Sequence, residues 1–122
     1  MKLQLRGFLL AATIALAPTH VMAWGAIAVD DGKGRSADDV GYGYVVGANT
    51  EKEANSGALK QCRAKNKSCK VVIAFETCGA YAVSGNRWGT GEGVTKGAAR
   101  RIALANCGNE ACKVVAAECD EE

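Results

Sequence analysis

Two stretches decide the fold: TEKEANSGALKQC (residues 50–62) and TKGAARRIALANC (residues 95–107). They align without gaps as Thr-x3-Ala-x3-Ala-Leu-x2-Cys, with Thr50, Ala54, Ala58, Leu59 and Cys62 matching Thr95, Ala99, Ala103, Leu104 and Cys107. Fixed-period self-similarity marks a repeated structural unit. The match extends in both directions. Upstream, Trp24-Gly-Ala-Ile-Ala-Val29 matches Cys78-Gly-Ala-Tyr-Ala-Val83, and downstream Cys69-Lys-Val-Val72 matches Cys112-Lys-Val-Val115. Three blocks in the same order indicate a duplication, with copies at about 24–77 and 78–119.

Each copy reads in the same way. Ala26–Val29 and Ala80–Val83 are short apolar runs ended by turn residues, as strands are. Thr50 with Glu53 three residues on is a capping box, which predicts a helix to about Arg63. Ala54, Ala58, Leu59 and Cys62 share one face of that helix. Thr95 caps a second helix, whose buried face is expected to hold Ala99, Ile102, Ala103 and Cys107. Lys70–Phe75 and Lys113–Ala117 are β-branched enough for central strands.

Between first strand and helix, each copy is glycine-rich. Gly41–Gly47 reads as a second strand with close backbone approaches. Its counterpart spans Gly85–Gly93. Val29 to Cys62 is 33 positions against 24 from Val83 to Cys107, so copy one carries nine extra residues. They fall near Asp30–Asp39, which reads as a solvated loop. The expected fold is α+β: one small domain of two pseudo-twofold-related β-β-α-β units.

The N-terminus has the order of a secretory signal. Basic Lys2 and Arg6 precede an apolar run from Gly7 to Ala17, then Pro18, then Val21-Met22-Ala23. That run of about 11 residues is short of the roughly 20 needed to span a bilayer. Residues 1–23 are expected to be removed between Ala23 and Trp24, leaving a mature domain at 24–122 that does not insert into the membrane. No Cys stands in the leader for lipid attachment.

Processing changes the arithmetic. The chain has 15 basic and 13 acidic residues, and loss of Lys2 and Arg6 leaves 13 of each. No net positive charge remains to favour nucleic acid. His20, the only histidine, leaves too. Ser-His-Asp and Cys-His nucleophilic sites in their usual forms, and His-based zinc sites, are thereby excluded.

All six cysteines remain: Cys62, Cys69, Cys78, Cys107, Cys112 and Cys119, separated by 6, 8, 28, 4 and 6 residues. An even count in a small exported chain reads as a disulfide framework. No C-x-x-C occurs, so neither a zinc ribbon nor a thioredoxin-like pair is suggested. The repeat favours Cys62–Cys69, Cys107–Cys112 and Cys78–Cys119. A rival symmetric scheme joins the helix cysteine to the later one, as in Cys62–Cys78.

The pattern A-x3-AL-x2-C, then C-x-V-V, then C-G-A-x-A resembles domain of unknown function family 4189, over essentially the whole mature chain. That resemblance implies a small exported bacterial α+β domain with pseudo-twofold symmetry. It implies no reaction, cofactor or catalytic residue.

Other chemistry is weakly signalled. Gly41-x-Gly43 and Gly89-x-Gly91-x-Gly93 lack full phosphate-loop fingerprints. Asp30, Asp31, Asp38 and Asp39 do not form a calcium loop, because the twelfth position from Asp30 is Gly41 rather than a bidentate carboxylate. No metal or cofactor is expected. Glu76, Glu92 and Glu118 are the carboxylates a small hydrolase would use. Lys52, Lys60, Arg63, Lys96, Arg100 and Arg101 read as a solvated helix face.

The partner-binding candidates are Arg87 and Trp88, of types that dominate interface hot spots, in a glycine-rich loop. Tyr42 and Tyr44 join them, since on a strand both point to one face. The expectation is an exported, non-enzymatic protein-binding module acting in the periplasm as an inhibitor or immunity protein. Its partner would be an envelope-acting enzyme or toxin. The rival expectations are a secreted effector that binds a host component and a small carboxylate-dependent hydrolase.

Overall fold

The computed structural model describes residues 23–32 and 36–120. Residues 1–22, on which the expected signal peptide falls, lie outside the described residues. The elements run β1 (Trp24–Asp30), β2 (Gly41–Ala48), α1 (Glu51–Arg63), β3 (Lys70–Phe75), β4 (Cys78–Ser84), β5 (Arg87–Gly93), α2 (Lys96–Cys107) and β6 (Lys113–Cys119). Among the described residues, no helix is long and apolar enough to cross a membrane.

The strands form two antiparallel sheets, ordered β2-β1-β3 and β5-β4-β6. The fold is thus α+β, with two β-β-α-β units, and the registers of the units agree at corresponding residues, except that the shift between Trp24 and Ala26 in the β1–β2 ladder has no counterpart between β4 and β5. Ala28 pairs with Gly43 and Val71, and Ala82 pairs with Gly89 and Val114. A second irregularity does repeat. The third strand of each unit slips register at the second valine of Lys-Val-Val, Val72 in one and Val115 in the other.

Strand alternation sorts the core into layers. Ala26 and Ala28 face α1, where they cluster with Ala54, Ala58 and Cys62. Ala80 and Ala82 face α2, with Ala99, Ala103 and Cys107. The intervening residues are large and face the other way. Ile27, Val29, Phe75, Tyr81 and Val83 pack together between the two sheets. The order is helix, sheet, sheet, helix: small side chains at the outer seams, large ones in the middle.

Glycine explains the thin outer seams. A Cβ at Gly91 would lie 2.5 Å from both the Ala103 amide nitrogen and the Ala99 carbonyl oxygen. Gly43 meets the α1 backbone at Gln61 and Cys62 in the same way. Each helix therefore rests directly on a strand backbone, through an i, i+4, i+8 stripe of alanine and cysteine. This seat is too narrow for Ile102. It lies on the flank of α2, 41% exposed, and not in the buried face expected of it. Lys96 is half-buried rather than solvated.

The caps follow the sequence with one difference. Thr50 Oγ1 accepts from the Glu53 amide at 3.1 Å and Thr95 Oγ1 from the Ala98 amide at 3.0 Å. The Glu53 carboxylate reaches back to the Asn49 amide at 3.3 Å, one residue before the cap. α2 has Ala98 at the corresponding position and so lacks that return bond.

The disulfides are Cys62–Cys69, Cys78–Cys119 and Cys107–Cys112. This is the first of the two symmetric schemes. Cys78 opens β4 directly opposite Cys119 on β6. The Asp30–Asp39 stretch is not a uniformly solvated loop. Asp30 ends β1, and its carboxylate accepts from the amides of Gly32, Lys67 and Ser68 at 2.8, 3.1 and 3.1 Å. Ala37 packs on the inter-sheet core and Val40 is buried in it.

Candidate functional site

The four partner-binding candidates do not form one patch. In copy two the glycine-rich stretch is a hairpin: Gly85 and Asn86 make the turn, with Gly85 at φ +46°, and Arg87–Gly93 is a strand. Its glycines face α2, so Trp88 and Thr90 face away from it. In copy one Gly43 faces α1, so Tyr42 and Tyr44 face away. The registers make Tyr42 the counterpart of Trp88, since they pair with Val29 and Val83. β2 touches β6, β5 touches β3, and β2 and β5 do not meet. The tyrosines and the tryptophan thus stand at opposite edges of the sandwich.

Trp88 is 52% exposed and its ring rests beside buried Tyr81, with centroids 6.3 Å apart and planes tilted by 35°. It is neither core nor a loose surface residue. One side of the ring is backed by the inter-sheet core and the other is open. Arg87 is partly spoken for. Its Nε donates to the Cys107 carbonyl at 2.9 Å, satisfying an orphan acceptor at the end of α2. Copy one meets the same need differently, with Asn66 Nδ2 donating to the Cys62 carbonyl at 2.9 Å. The sequence pointed to Arg87 for binding; the structure gives it a helix-capping contact.

A hollow of about 190 Å³ opens beside Trp88, lined by Asp31, Lys70, Val71, Val72, Tyr81 and Trp88. Lys70 and Asp31 form an ion pair of 3.6 Å at its rim, with side chains 59% and 18% exposed. An aromatic wall, a valine wall and a charged rim thus converge at the β3/β5 edge. Small-molecule sites commonly exceed about 300 Å³, while a cavity of about 150 Å³ takes a benzene-sized group. This hollow suits one side chain of a partner.

Tyr42 and Tyr44, 42% and 40% exposed, border a larger open trough of about 530 Å³ along the edge of β2, with Gln61, Ala64 and Lys65 opposite.

The carboxylates are placed by the register of the second sheet. Glu92 and Glu118 both pair with Gly79, one from each side. They therefore stand about two strand spacings, roughly 10 Å, apart. Glu92 is engaged, accepting from the Glu76 amide at 2.9 Å. None of these three lines the hollow beside Trp88 or the trough along β2.

A model of the family described as "Domain of unknown function (DUF4189)" matches residues 24–119. The chain belongs to this family. The match spans both β-β-α-β units, so a DUF4189 domain is the whole duplicated sandwich and not one half of it. The fold is similar to that of Rv1813c from Mycobacterium tuberculosis, solved by NMR. That likeness has a TM-score of 0.57 at 24% identity and covers 95% of this chain and 98% of that one. At this identity it shows the fold alone. Among curated proteins no relative matches.

Sequence reasoning did not reach Asp31, Lys70, Val72 or Tyr81 as parts of a site. The usable signal was the length difference between the copies, because whatever fills an edge in one copy can leave its counterpart open in the other.

Proposed function

We propose that this DUF4189 protein is an exported protein-binding module that holds its partner through the face around Trp88. One observation carries the reading. A tryptophan is held half-exposed against a buried tyrosine at the mouth of a side-chain-sized hollow. Interface hot spots favour Trp, clustered where the partner is fully desolvated. Three disulfides fit an oxidising compartment and hold the sheets that carry this face. A face built on rigid strands loses little freedom on binding.

The role assigned is that of a periplasmic inhibitor or immunity protein, with no catalysis of its own. The partner is an enzyme or toxin that acts in the envelope. A secreted effector would use the same face, and the compartment in which the partner is found separates the two.

The test is capture by the tagged, oxidised protein from envelope extract and from culture fluid, read by mass spectrometry. A stoichiometric enzyme or toxin from envelope extract, lost with Trp88→Ala, is the expected result. A host-directed partner from culture fluid replaces the inhibitor role with the effector one. No partner in either fraction, or a partner indifferent to Trp88→Ala, overturns the reading.

A further inference from the structure

We infer that the hollow beside Trp88 is an anchor site for a partner loop that presents a branched aliphatic side chain next to carboxylates. The inference rests on the binding-module reading and names the chemistry of what that face takes. The pseudo-twofold relation supplies the argument, because the fold contains the same edge twice.

Register fixes the correspondence. Lys70 and Val71 pair with Val29 and Ala28, and Lys113 and Val114 pair with Val83 and Ala82. Lys70, Val71 and Val72 thus correspond to Lys113, Val114 and Val115. Trp88 corresponds to Tyr42, Tyr81 to Ile27, and Asp31 to Gly85. The β3/β5 edge carrying the hollow is therefore the counterpart of the β2/β6 edge.

The two edges are finished differently. At the β2/β6 edge residues 36–40 of the long β1–β2 connection of copy one fold back on the core. Ser36, Ala37 and Asp38 face Val83, Ser84, Gly85, Ala111 and Lys113 across a hollow of about 270 Å³. Ala37 packs on the inter-sheet cluster, and Val40 is buried in that cluster with Val83. The chain covers the core at this edge with Ala37 and Val40 of its own aliphatic-acidic segment, Ser36-Ala-Asp-Asp-Val40. At the β3/β5 edge the corresponding connection is only the two-residue turn Gly85-Asn86, and neither residue lines the hollow. The apolar walls of Val71, Val72, Tyr81 and Trp88 stay open there.

The open edge asks for what the covered edge already holds. Its wall takes an aliphatic group, and its volume admits one side chain. The rim adds charge: Lys70 is more than half exposed despite its contact with Asp31, and its ammonium can take a second carboxylate. Trp88 replaces Tyr42 at this edge, giving an incoming side chain a broader apolar surface than its counterpart offers.

The test is a ¹H–¹⁵N NMR titration of the oxidised protein with the peptide acetyl-SADDVG-amide, the sequence of residues 36–41. Saturable shifts are expected at the Trp88 indole N–H and at the Val71 and Val72 amides. Affinity should fall about tenfold with serine in place of the peptide's valine, and about fivefold with Lys70→Glu in the protein. Lys70 is exposed, so this variant keeps the fold, and unchanged spectra elsewhere verify it.

No saturable shift at these residues up to about 5 mM peptide overturns the assignment. So does equal affinity for a peptide with lysines in place of its aspartates. Concentration-dependent shifts at the same residues without peptide would place a second copy's 36–40 segment in the hollow and overturn a foreign partner. Partner capture that depends on Trp88 while the peptide fails would end this inference and leave the binding-module reading standing.

Discussion

The ring of Phe75 lies directly on Gly79, at the start of β4, and on the repeat counterpart of that residue, Gly25, at the start of β1. One fully buried aromatic residue thus takes up the space left by the same glycine in both copies. Glu118 stands at the position in copy two that Phe75 holds in copy one, as the pairings with Gly79 and Gly25 show. The ring can occupy the region shared by the two units only once, and both glycines must stay bare for it.

Gly79→Ala should therefore destabilise the fold by about 1–3 kcal/mol, the usual range for overpacking a filled core. The check is the denaturant midpoint of the oxidised protein. The double variant Gly79→Ala with Phe75→Leu should lose less than the sum of the single changes. Additivity within about 0.5 kcal/mol would show that ring and glycine are not coupled.

The helical glycines should behave in opposite ways. Gly57 faces Val45, and a Cβ there would come within 2.8 Å of its Cγ2. Gly97 has only the Arg101 guanidinium at 3.6 Å and the Thr95 hydroxyl at 4.0 Å. Gly97→Ala should raise stability by about 0.5–1 kcal/mol, the helix-propensity gain. Gly57→Ala should gain less or lose outright. Thermal melts of the two variants side by side decide this.

The three disulfides should differ in worth. Cys78–Cys119 spans 41 positions, against 7 and 5 for the other two. On the chain-entropy account its removal costs about 4 kcal/mol, and each short bridge about 2–2.5 kcal/mol. Paired Cys→Ser replacements compared by urea unfolding give the order. An equal loss at all three sites would mean that loop length does not govern their contribution.

Arg87→Ala and Trp88→Ala should separate stability from binding. Arg87→Ala leaves the Cys107 carbonyl without its donor and should cost about 1 kcal/mol of stability. Trp88→Ala should lower partner affinity by about 2 kcal/mol or more, as hot-spot truncations do. Calorimetry against the captured partner, set beside unfolding curves, measures both. A larger binding loss from Arg87→Ala than from Trp88→Ala would relocate the contact surface.

Much of this was legible in the residues. The gap-free repeat of alanine, leucine and cysteine gave both helices, because a stripe of small residues at i, i+4, i+8 has few other uses. Lys-Val-Val marked the third strand of each unit, and the duplication favoured the disulfide pairing found. Ile102 was misread for a physical reason. Hydrophobic periodicity reports which face is apolar, not how wide the seat is. The seat here is a strand backbone exposed by Gly89, Gly91 and Gly93, which takes the alanines and Cys107 of α2 but no larger side chain. Arg87 suits an interface and a helix cap equally well by residue type, and only the tertiary structure, by bringing it to the Cys107 carbonyl, shows the capping contact.

The sequence by itself determined the duplication, the α+β composition, the cysteine framework and the layering of small against large side chains, because all of these are local spacings or alternations along the chain. The tertiary structure alone decided which edges meet. It set β3 beside β5 and β2 beside β6, parted Trp88 from Tyr42 and Tyr44, and brought Lys70 and Asp31 to the mouth beside Trp88. Those contacts depend on how two twisted sheets face each other, and that is fixed by the shape of the buried residues between them.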